Sequence, residues 1–247
     1  MFKKKKKKIW VTPGGQYPMV YEKILFSEPH ILIAGATGSG KSVLINSLLA
    51  RLLMGASPAK AQLVLIDPKK VELNQLRRLP HCIGYADNET SASALLQSVV
   101  NVMMSRYIEM QDRGIKKYDG SDIYVIIDEY ADLIVTNRKG IEPLVTRIVQ
   151  LGRAANIHLI VATQRPTRDV ISGAIRVNLD CKIALHTATA QDSRNIINQS
   201  GAETLPRFGN CFMLSSDGLS RYMLPPIDNI LPDLISWWNS DRCQREI

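Results

Sequence analysis

The sequence predicts an α/β fold built on a mostly parallel β-sheet with helices on both faces. Three observations lead to this prediction: short apolar runs recur along the chain, amphipathic helical stretches separate them, and the central runs are continuously apolar. A continuously apolar strand is typical of a parallel sheet that is buried on both faces. Strands that alternate with helices favour right-handed βαβ units.

The hydrophobic pattern places each element along the chain. The clearest helix is 92–113, where apolar residues recur at intervals of three or four. Residues 9–29 contain several prolines and glycines, and we expect them to be irregular. The predicted strands are 31–35, 62–67, 123–128, 157–163, 181–187 and 210–214, and the shorter predicted helices are 41–54, 139–151, 191–199 and 230–239.

The length of 247 residues allows one substantial domain. We divide the chain into a basic leader with an irregular segment at 1–28 and a single domain at 29–247. No apolar run approaches the roughly 20 residues needed to cross a bilayer, and no secretory signal follows the N-terminal lysines. The predicted location is therefore the cytoplasm. Four cysteines and four histidines are scattered, without the spacing of a zinc site or a disulfide framework.

Most of the net charge of +8 lies in the leader, because Lys3 to Lys8 contribute six positive charges. Such a run is expected to be disordered and to act as an interaction tail. It could bind DNA phosphates or an anionic membrane surface, or it could be a solvated leader without a partner. The rest of the chain is only mildly basic, so any DNA binding there must depend on individual arginines.

A glycine-rich segment follows the first predicted strand and leads into a predicted helix. It reads Gly35, Ala36, Thr37, Gly38, Ser39, Gly40, Lys41 and Ser42, which is a complete GxxxxGKS sequence. The glycines let the backbone curl so that successive N–H groups point at phosphate oxygens, and the helix N-terminus favours the same anion. Lys41 is predicted to reach the β- and γ-phosphates of ATP, and Ser42 to hold Mg²⁺. The alternative, a chance glycine-rich turn, is disfavoured by the complete motif between a strand and a helix.

Two acidic residues lie at the end of another apolar strand. A carboxylate in this position needs a partner, so Asp128 is predicted to be a second Mg²⁺ ligand. Glu129 follows directly and is predicted to be the general base that activates the attacking water. The alternative is that the two residues cap a helix that begins at residue 130. Gln164 follows a further apolar strand and is predicted to sense the γ-phosphate.

Several short segments elsewhere in the chain occur in a characteristic order. They are Pro29-His30, Asp67-Pro68-Lys69 with Glu72-Leu73, Pro80-His81, 128–133, 152–158, 162–166, Asp192-Ser193-Arg194 and Gly201-Ala202-Glu203. Together they resemble the FtsK/SpoIIIE family of translocase motors over about residues 29–215. The resemblance implies a RecA-like P-loop NTPase fold and ATP hydrolysis. It also implies assembly into a ring, usually a hexamer, that pumps double-stranded DNA through its pore.

The resemblance assigns roles to four arginines. Arg153 resembles the family's arginine finger, which reaches the γ-phosphate of a neighbouring subunit, although a surface arginine at a helix end is the alternative. Arg165 and Arg176 bracket a segment similar to the family's pore loop, and Arg194 lies in a segment that resembles the second pore loop. Guanidinium groups there would hold DNA phosphates without reading bases. A solvated basic face is the alternative, and for Arg168, between the first two, it has equal weight.

The sequence departs from the family pattern at Asn156, Gln191, Ser200 and Asn210. Gln191 replaces a position that is often basic, which weakens the expected contact of the second pore loop with DNA. No winged-helix module or membrane anchor is recognised, so we expect a stand-alone motor of a mobile element or phage, served by a loading or relaxase partner. Two alternatives remain: a coupling ATPase for conjugative DNA transfer or protein secretion, and a nucleotide-dependent DNA-binding adaptor without turnover.

Overall fold

An eight-stranded sheet forms the centre of the computed structural model, which describes residues 19–240. The strand order is β3-β2-β4-β5-β1-β6-β7-β8. β1 to β6 are parallel, β7 is antiparallel to β6, and β8 is antiparallel to β7. The predicted mostly parallel sheet is therefore confirmed. The strands are β1 (His30–Ala34), β2 (Ala61–Ile66), β3 (Cys82–Ala86), β4 (Asp122–Ile127), β5 (Ile157–Thr163), β6 (Cys181–Ala184), β7 (Asn210–Ser215) and β8 (Gly218–Met223).

Helices cover both faces of this sheet. Along β1, Leu32 and Ala34 pack into one apolar core, while Ile31 and Ile33 pack into a second core on the opposite face. α3 and α4 contribute to the first core, and α1, α2 and α7 to the second. The helices are α1 (Met19–Ser27), α2 (Lys41–Gly55), α3 (Glu89–Arg113), α4 (Tyr130–Leu151), α5 (Gly173–Arg176), α6 (Ala190–Ile197) and α7 (Leu231–Trp238).

The predicted irregular segment at 9–29 is wrong in its C-terminal part, because α1 occupies residues 19–27. Tyr21, Ile24 and Leu25 lie on one face of α1 and are each at most 2% exposed. The Tyr21 hydroxyl also donates to the carbonyl oxygen of Pro225 at 2.8 Å. Contacts with residues far along the chain therefore stabilise a short helix that its local sequence does not predict.

Two edge strands and the start of α4 also differ from the predictions. β3 and β8 carry many half-buried or exposed positions, so neither shows the continuous apolar run of a central strand. α4 begins at Tyr130 rather than residue 139, and Asn137 interrupts it with φ −144° and ψ 57°. Because Asn137 interrupts the helical pattern, the sequence predicts only the part of α4 that follows this residue.

Three of the cysteines lie within residues 19–240. Cys82, Cys181 and Cys211 are free thiols, and burial raises the pKa of both Cys181 and Cys211 to about 12. In the same part of the chain there is no group of three or more His, Cys, Asp or Glu side chains that could hold a metal ion. The leader Lys3 to Lys8 and Cys243 lie outside the described residues.

No helix within residues 19–240 combines the length and apolarity required to span a bilayer.

The parallel strands bring the predicted functional segments to one edge of the sheet. β5 lies between β1 and β4. The residues after the carboxyl ends of these three strands are Gly35, Asp128 and Gln164, which belong to the three segments predicted to act on a nucleotide. In open α/β sheets, ligands bind at this carboxyl edge.

Candidate functional site

The glycine-rich loop after β1 has the tight curvature that its sequence predicts. Gly38 and Gly40 have φ values of +71° and +97°, which favour glycine over residues with a side chain. At Gly35, an added Cβ would lie 2.6 Å from the Ser39 hydroxyl and 2.8 Å from the Leu185 Cβ. The loop then enters α2 at Lys41. The backbone geometry therefore requires glycine at these three positions, and the loop leads directly into the N-terminus of α2.

Lys41 and Asp128 form a buried ion pair at this edge. The Lys41 Nζ donates to the Asp128 carbonyl oxygen at 2.6 Å and to its Oδ1 at 2.9 Å. The two residues are 6% and 2% exposed. Breaking a buried ion pair by removing one partner is costly, because the other charge is left uncompensated. The structure thus brings together the predicted phosphate-binding lysine and the predicted metal-binding carboxylate.

Glu129 is held by donors from β5 and from the residue after it. Its Oε1 accepts a hydrogen bond from the Thr163 hydroxyl at 2.8 Å, and its two carboxylate oxygens lie 3.1 and 3.2 Å from the backbone nitrogen of Gln164. The Lys69 Nζ lies 3.8 Å from its Oε2. Glu129 occupies the N-cap position of α4, yet its side chain makes no capping hydrogen bond. The alternative of a helix-capping role is therefore not realised by the Glu129 carboxylate.

Gln164 connects this carboxylate to the glycine-rich loop. Its Oε1 accepts a hydrogen bond from the Thr37 hydroxyl at 2.7 Å. Thr37 lies in the loop after β1, and Thr163 pairs with Ala34 across the sheet. Lys41, Asp128, Glu129 and Gln164, all predicted as site residues, thus lie close together at the carboxyl edge of the sheet.

Thr163 and Lys69 were not predicted as site residues. Thr163 is fully buried, and its hydroxyl accepts from the Arg165 backbone nitrogen at 3.0 Å while donating to Glu129. A hydroxyl at the last position of an otherwise apolar strand was the available indication. Lys69 lies after β2, the strand beside β4, and its Nζ is 3.5 Å from Asp132 as well as near Glu129. Only the strand order reveals that Lys69 and Glu129 are neighbours.

Arg153 lies at the opposite edge of the sheet from this cluster. It is exposed and belongs to a 3₁₀ helix at Gly152–Ala155, which is separated from the start of β5 by one residue. The seven residues of β5 lie between it and Gln164, and the strand alone spans about 20 Å at the usual rise per residue. Arg153 is therefore remote from the nucleotide loop of its own chain.

The three predicted DNA-contacting arginines differ in their surroundings. Arg165 and Arg194 are exposed. Arg176 is half-buried and donates to the carbonyl oxygens of Asn195 and Ile171, the latter at 3.3 Å. Burial, with the nearby charge of Arg168, lowers the pKa of Arg176. Arg176 therefore braces α6 against the segment before α5, and its donors are less available to a ligand than those of the other two.

The oxygen donors at the carboxyl edge of the sheet suit Mg²⁺ better than a metal ion that is coordinated by protein groups alone. Mg²⁺ is usually held by one or two protein oxygens together with waters and phosphates. Asp128 supplies one buried carboxylate and Ser42 one half-exposed hydroxyl in the first turn of α2. The Ser39 hydroxyl is also buried in the loop, with no hydrogen-bond partner among the described residues. These oxygens fit a metal that arrives with phosphate groups.

Comparison with known proteins agrees with this arrangement. The profile of the FtsK/SpoIIIE family matches residues 11–124 and 119–168. The DNA translocase FtsK of Oceanobacillus iheyensis is 41% identical over 197 residues, which cover 72% of this chain and 25% of that protein. The DNA translocase SpoIIIE of Bacillus subtilis is 39% identical over 206 residues, which cover 75% of this chain and 26% of that protein. The chain thus spans about a quarter of the length of these curated relatives.

Solved structures show the same fold. The pCW3 conjugation coupling protein TcpA, in its monomer form with ATPγS, has a TM-score of 0.72 and 25% identity, and the match covers 84% of this chain and 65% of that protein. ATPases 2 and 3 of EssC from Geobacillus thermodenitrificans have a TM-score of 0.73 at 18% identity, covering 85% of this chain and 44% of that one. The second likeness supports the fold alone. Because the family profile matches more than half of the sequence, the chain belongs to the FtsK/SpoIIIE family of P-loop ATPases.

Proposed function

We propose that this chain hydrolyses ATP and uses the reaction to move double-stranded DNA. The observation that supports this most directly is the convergence of Lys41, Asp128, Glu129 and Gln164 at the carboxyl edge of the sheet. These residue types are the ones that phosphoryl transfer to water requires: a cation, a metal ligand, a general base and a polar group near the γ-phosphate.

The loop at residues 35–42 is the proposed phosphate site. Ser42 and Asp128 would hold Mg²⁺, which neutralises negative charge on the phosphates when it is bound. Lys41 now contacts Asp128 and must turn toward the nucleotide to bind its phosphates. Glu129 orients the attacking water and takes up its proton. Gln164 senses whether the γ-phosphate is present, and its hydrogen bond with Thr37 connects it to the glycine-rich loop.

Arg153 is the proposed finger for a neighbouring subunit. Its position across the length of β5, about 20 Å, from Gln164 of the same chain excludes a role in the chain's own pocket. A ring, which in this family is usually a hexamer, would place Arg153 against the next pocket. Arginine fingers raise hydrolysis rates by about 10³–10⁵, so hydrolysis should depend on assembly.

Arg165 and Arg194 are the proposed DNA contacts, because both are exposed. Arg165 follows Gln164 directly, so a DNA contact there lies one residue from the nucleotide site. Arg176 is proposed to shape this region rather than to donate freely, since two carbonyl oxygens accept its hydrogen bonds.

DNA-stimulated ATP hydrolysis tests this proposal. Wild type should hydrolyse ATP faster with duplex DNA, and the stimulation should weaken as salt rises. The Arg165→Ala/Arg194→Ala double variant should lose the stimulation while retaining basal turnover. Arg113→Ala is the matched control, because Arg113 is exposed at the far end of α3 and pairs with Glu109 and Asp119. Stimulation that survives in the double variant would refute the DNA assignment.

The general base and the finger have separate tests. Glu129→Gln should bind nucleotide, but its rate of ATP hydrolysis should fall by about 10²–10⁴. Hydrolysis that persists in this variant would refute the role of Glu129 as the general base. Hydrolysis that is lost while nucleotide binding is retained would exclude a non-hydrolysing adaptor.

Arg153→Ala and Lys41→Ala should each be inactive alone. Mixed together they should regain turnover, because Lys41→Ala subunits supply fingers to the intact pockets of Arg153→Ala subunits. Electron microscopy with duplex DNA and an ATP analogue should show a ring.

A second candidate function is a coupling ATPase for conjugative DNA transfer or protein secretion. The likeness to the conjugation coupling protein TcpA favours it. A coupling role predicts retrieval of a relaxase or of exported proteins in pull-downs, with hydrolysis indifferent to duplex DNA. A translocase of a plasmid or phage, working in the cytoplasm with a loading partner, predicts the opposite response to DNA.

A further inference from the structure

The turn at residues 206–209 lies directly over the nucleotide loop, although nothing in the sequence marks it as functional. The Arg207 Nη1 donates to the carbonyl oxygen of Thr37 at 3.2 Å. A Cβ added to Gly38 would lie 3.0 Å from the same nitrogen. Two neighbouring positions of the loop thus place this guanidinium at the tip of the proposed phosphate site.

The backbone of the turn fixes this placement. Phe208 has φ +65°, an uncommon value for a residue with a side chain, and Gly209 has φ +86°. The carbonyl oxygen of Gly209 accepts from the Leu224 nitrogen at 2.7 Å, so the end of the turn is tied to the residue after β8. Strained backbone of this kind persists where the surrounding structure determines it, and it is concentrated at functional sites.

The same turn borders a cavity beside the loop. Phe208 and Gly209 line a cavity of about 220 Å³ together with Gly40 and Val43 from the start of α2. A Cβ on Gly40 would lie 4.0 Å from the Phe208 Cα. The turn is therefore packed against the place where the loop becomes a helix.

The guanidinium of Arg207 has capacity for a second ligand. It carries five N–H donors, and the Thr37 carbonyl accepts one hydrogen bond. Within residues 19–240, no carboxylate lies within ion-pair distance of Arg207, in contrast to the exposed Arg113 and Arg138, which have glutamate partners. Arginine binds phosphate oxygens with forked, charge-assisted hydrogen bonds.

We propose that Arg207 binds a phosphate of the nucleotide held by its own chain, as a second cation beside Lys41. This inference rests on the proposed ATP site. Because Arg207 reaches the loop from the turn before β7 rather than from a neighbouring subunit, its contribution should be present in an isolated chain. It should strengthen the binding of ADP as well as ATP, and so slow the release of the product.

Equilibrium binding and dissociation of mant-ADP with Mg²⁺ test this. Arg207→Ala and Arg207→Gln should each bind about tenfold to hundredfold more weakly, as expected for one lost charge-assisted contact. The dissociation rate should rise by a similar factor. Arg207→Lys, which keeps the charge, should recover part of the affinity. Arg221→Ala is the control, because Arg221 is exposed on β8 and donates to the Asn210 side chain; it should bind like wild type.

Three outcomes would overturn the inference. Unchanged ADP affinity in Arg207→Ala is one. A Gln variant that binds like wild type is another, because a neutral donor would then suffice and Arg207 would only brace the Thr37 carbonyl. The third is a nucleotide-free Arg207→Ala variant whose melting temperature is so much lower than that of wild type that partial unfolding explains its weaker binding of mant-ADP. Lys41→Ala separates the two proposals: if it still binds mant-ADP normally, the ATP site itself is misplaced.

Discussion

Arg106 on α3 offers a quantitative test of how the segment that carries Arg153 is held in place. It is 6% exposed, and its guanidinium donates to the carbonyl oxygens of Ala155 and Asn156 at 2.7 and 3.2 Å. It also lies 4.4 Å from the centre of the Tyr118 ring. Ala155 ends the 3₁₀ helix that carries Arg153. Arg106→Met keeps much of the side-chain volume but removes every donor.

The expected loss of stability follows from these contacts. Each hydrogen bond to a charged group contributes about 1.5–3 kcal/mol, and a buried carbonyl left without a donor costs about 1–3 kcal/mol. The Ala155 carbonyl would lose its donor, whereas the Asn156 carbonyl still accepts from the Ile123 backbone nitrogen at 2.9 Å. Burial lowers the pKa of Arg106, which shows that desolvation of the guanidinium offsets part of this gain. We therefore expect Arg106→Met to lower the free energy of unfolding by about 3 kcal/mol. For a domain of this size, the melting temperature should fall by about 6–12 °C.

Urea denaturation followed by circular dichroism measures this change directly. Arg147→Ala is the control, because Arg147 is an exposed arginine on α4 whose guanidinium contacts the Met104 sulfur at 3.4 Å; its stability should change by less than about 0.5 kcal/mol. Hydrolysis by assembled Arg106→Met should also fall at temperatures where the variant stays folded, since the segment carrying Arg153 has lost its anchor. A stability change below about 0.5 kcal/mol in Arg106→Met would refute the reasoning.

Three further predictions concern stability at the edges of the sheet. Thr163→Val should cost about 2 kcal/mol in urea denaturation, because the buried Glu129 carboxylate loses a donor, whereas Thr163→Ser should restore it; equal values for the two variants would contradict this. Gly209→Ala should destabilise more than Gly218→Ala in the same assay. Both have positive φ values, but only at Gly209 does an added Cβ lie 2.5 Å from a backbone oxygen. Burial lowers the pKa of His30 from 6.5 to about 3, so below pH 6.5 the unfolded chain binds a proton that the folded chain does not. Stability should therefore fall by up to about 1.4 kcal/mol per pH unit between pH 6.5 and 3, and His30→Asn should flatten that slope; an unchanged slope would show that other groups dominate.

The sequence predicted the centre of this protein well because local patterns determine it. β1, β4 and β5 are continuous apolar runs, and the segments that follow them carry the nucleotide loop, Asp128-Glu129 and Gln164. Parallel strands bring such segments to one edge regardless of the details of the loops between them. The profile match and the sheet order both agree with this interpretation.

The residues that the sequence did not reveal depend on contacts between distant segments. Thr163, Arg106 and Arg207 act on partners 34, 49 and 170 residues away. A single threonine or arginine has no periodicity, so its role becomes visible only when the fold supplies its partner. Contacts between distant segments also explain why the sequence did not predict α1. Its apolar face packs in the same core as α2, and this packing stabilises the helix more than its own helix propensity does.

β5 connects the elements on which the proposed cycle depends. Arg153 lies four residues before its first residue, Thr163 is its last, and Arg165 follows two residues later. The strand pairs with β1 on one side and β4 on the other, and six of its seven residues are buried. A close-packed core has low compressibility and transmits strain. If Arg153 contacts a neighbouring subunit as proposed, a shift at Arg153 would strain β5 and so affect Thr163, the Glu129 carboxylate and the proposed DNA contact at Arg165. Because the proposed functional groups lie at or beyond the two ends of β5, substitutions that uncouple hydrolysis from DNA should lie there, while changes in the middle of the strand should affect stability alone.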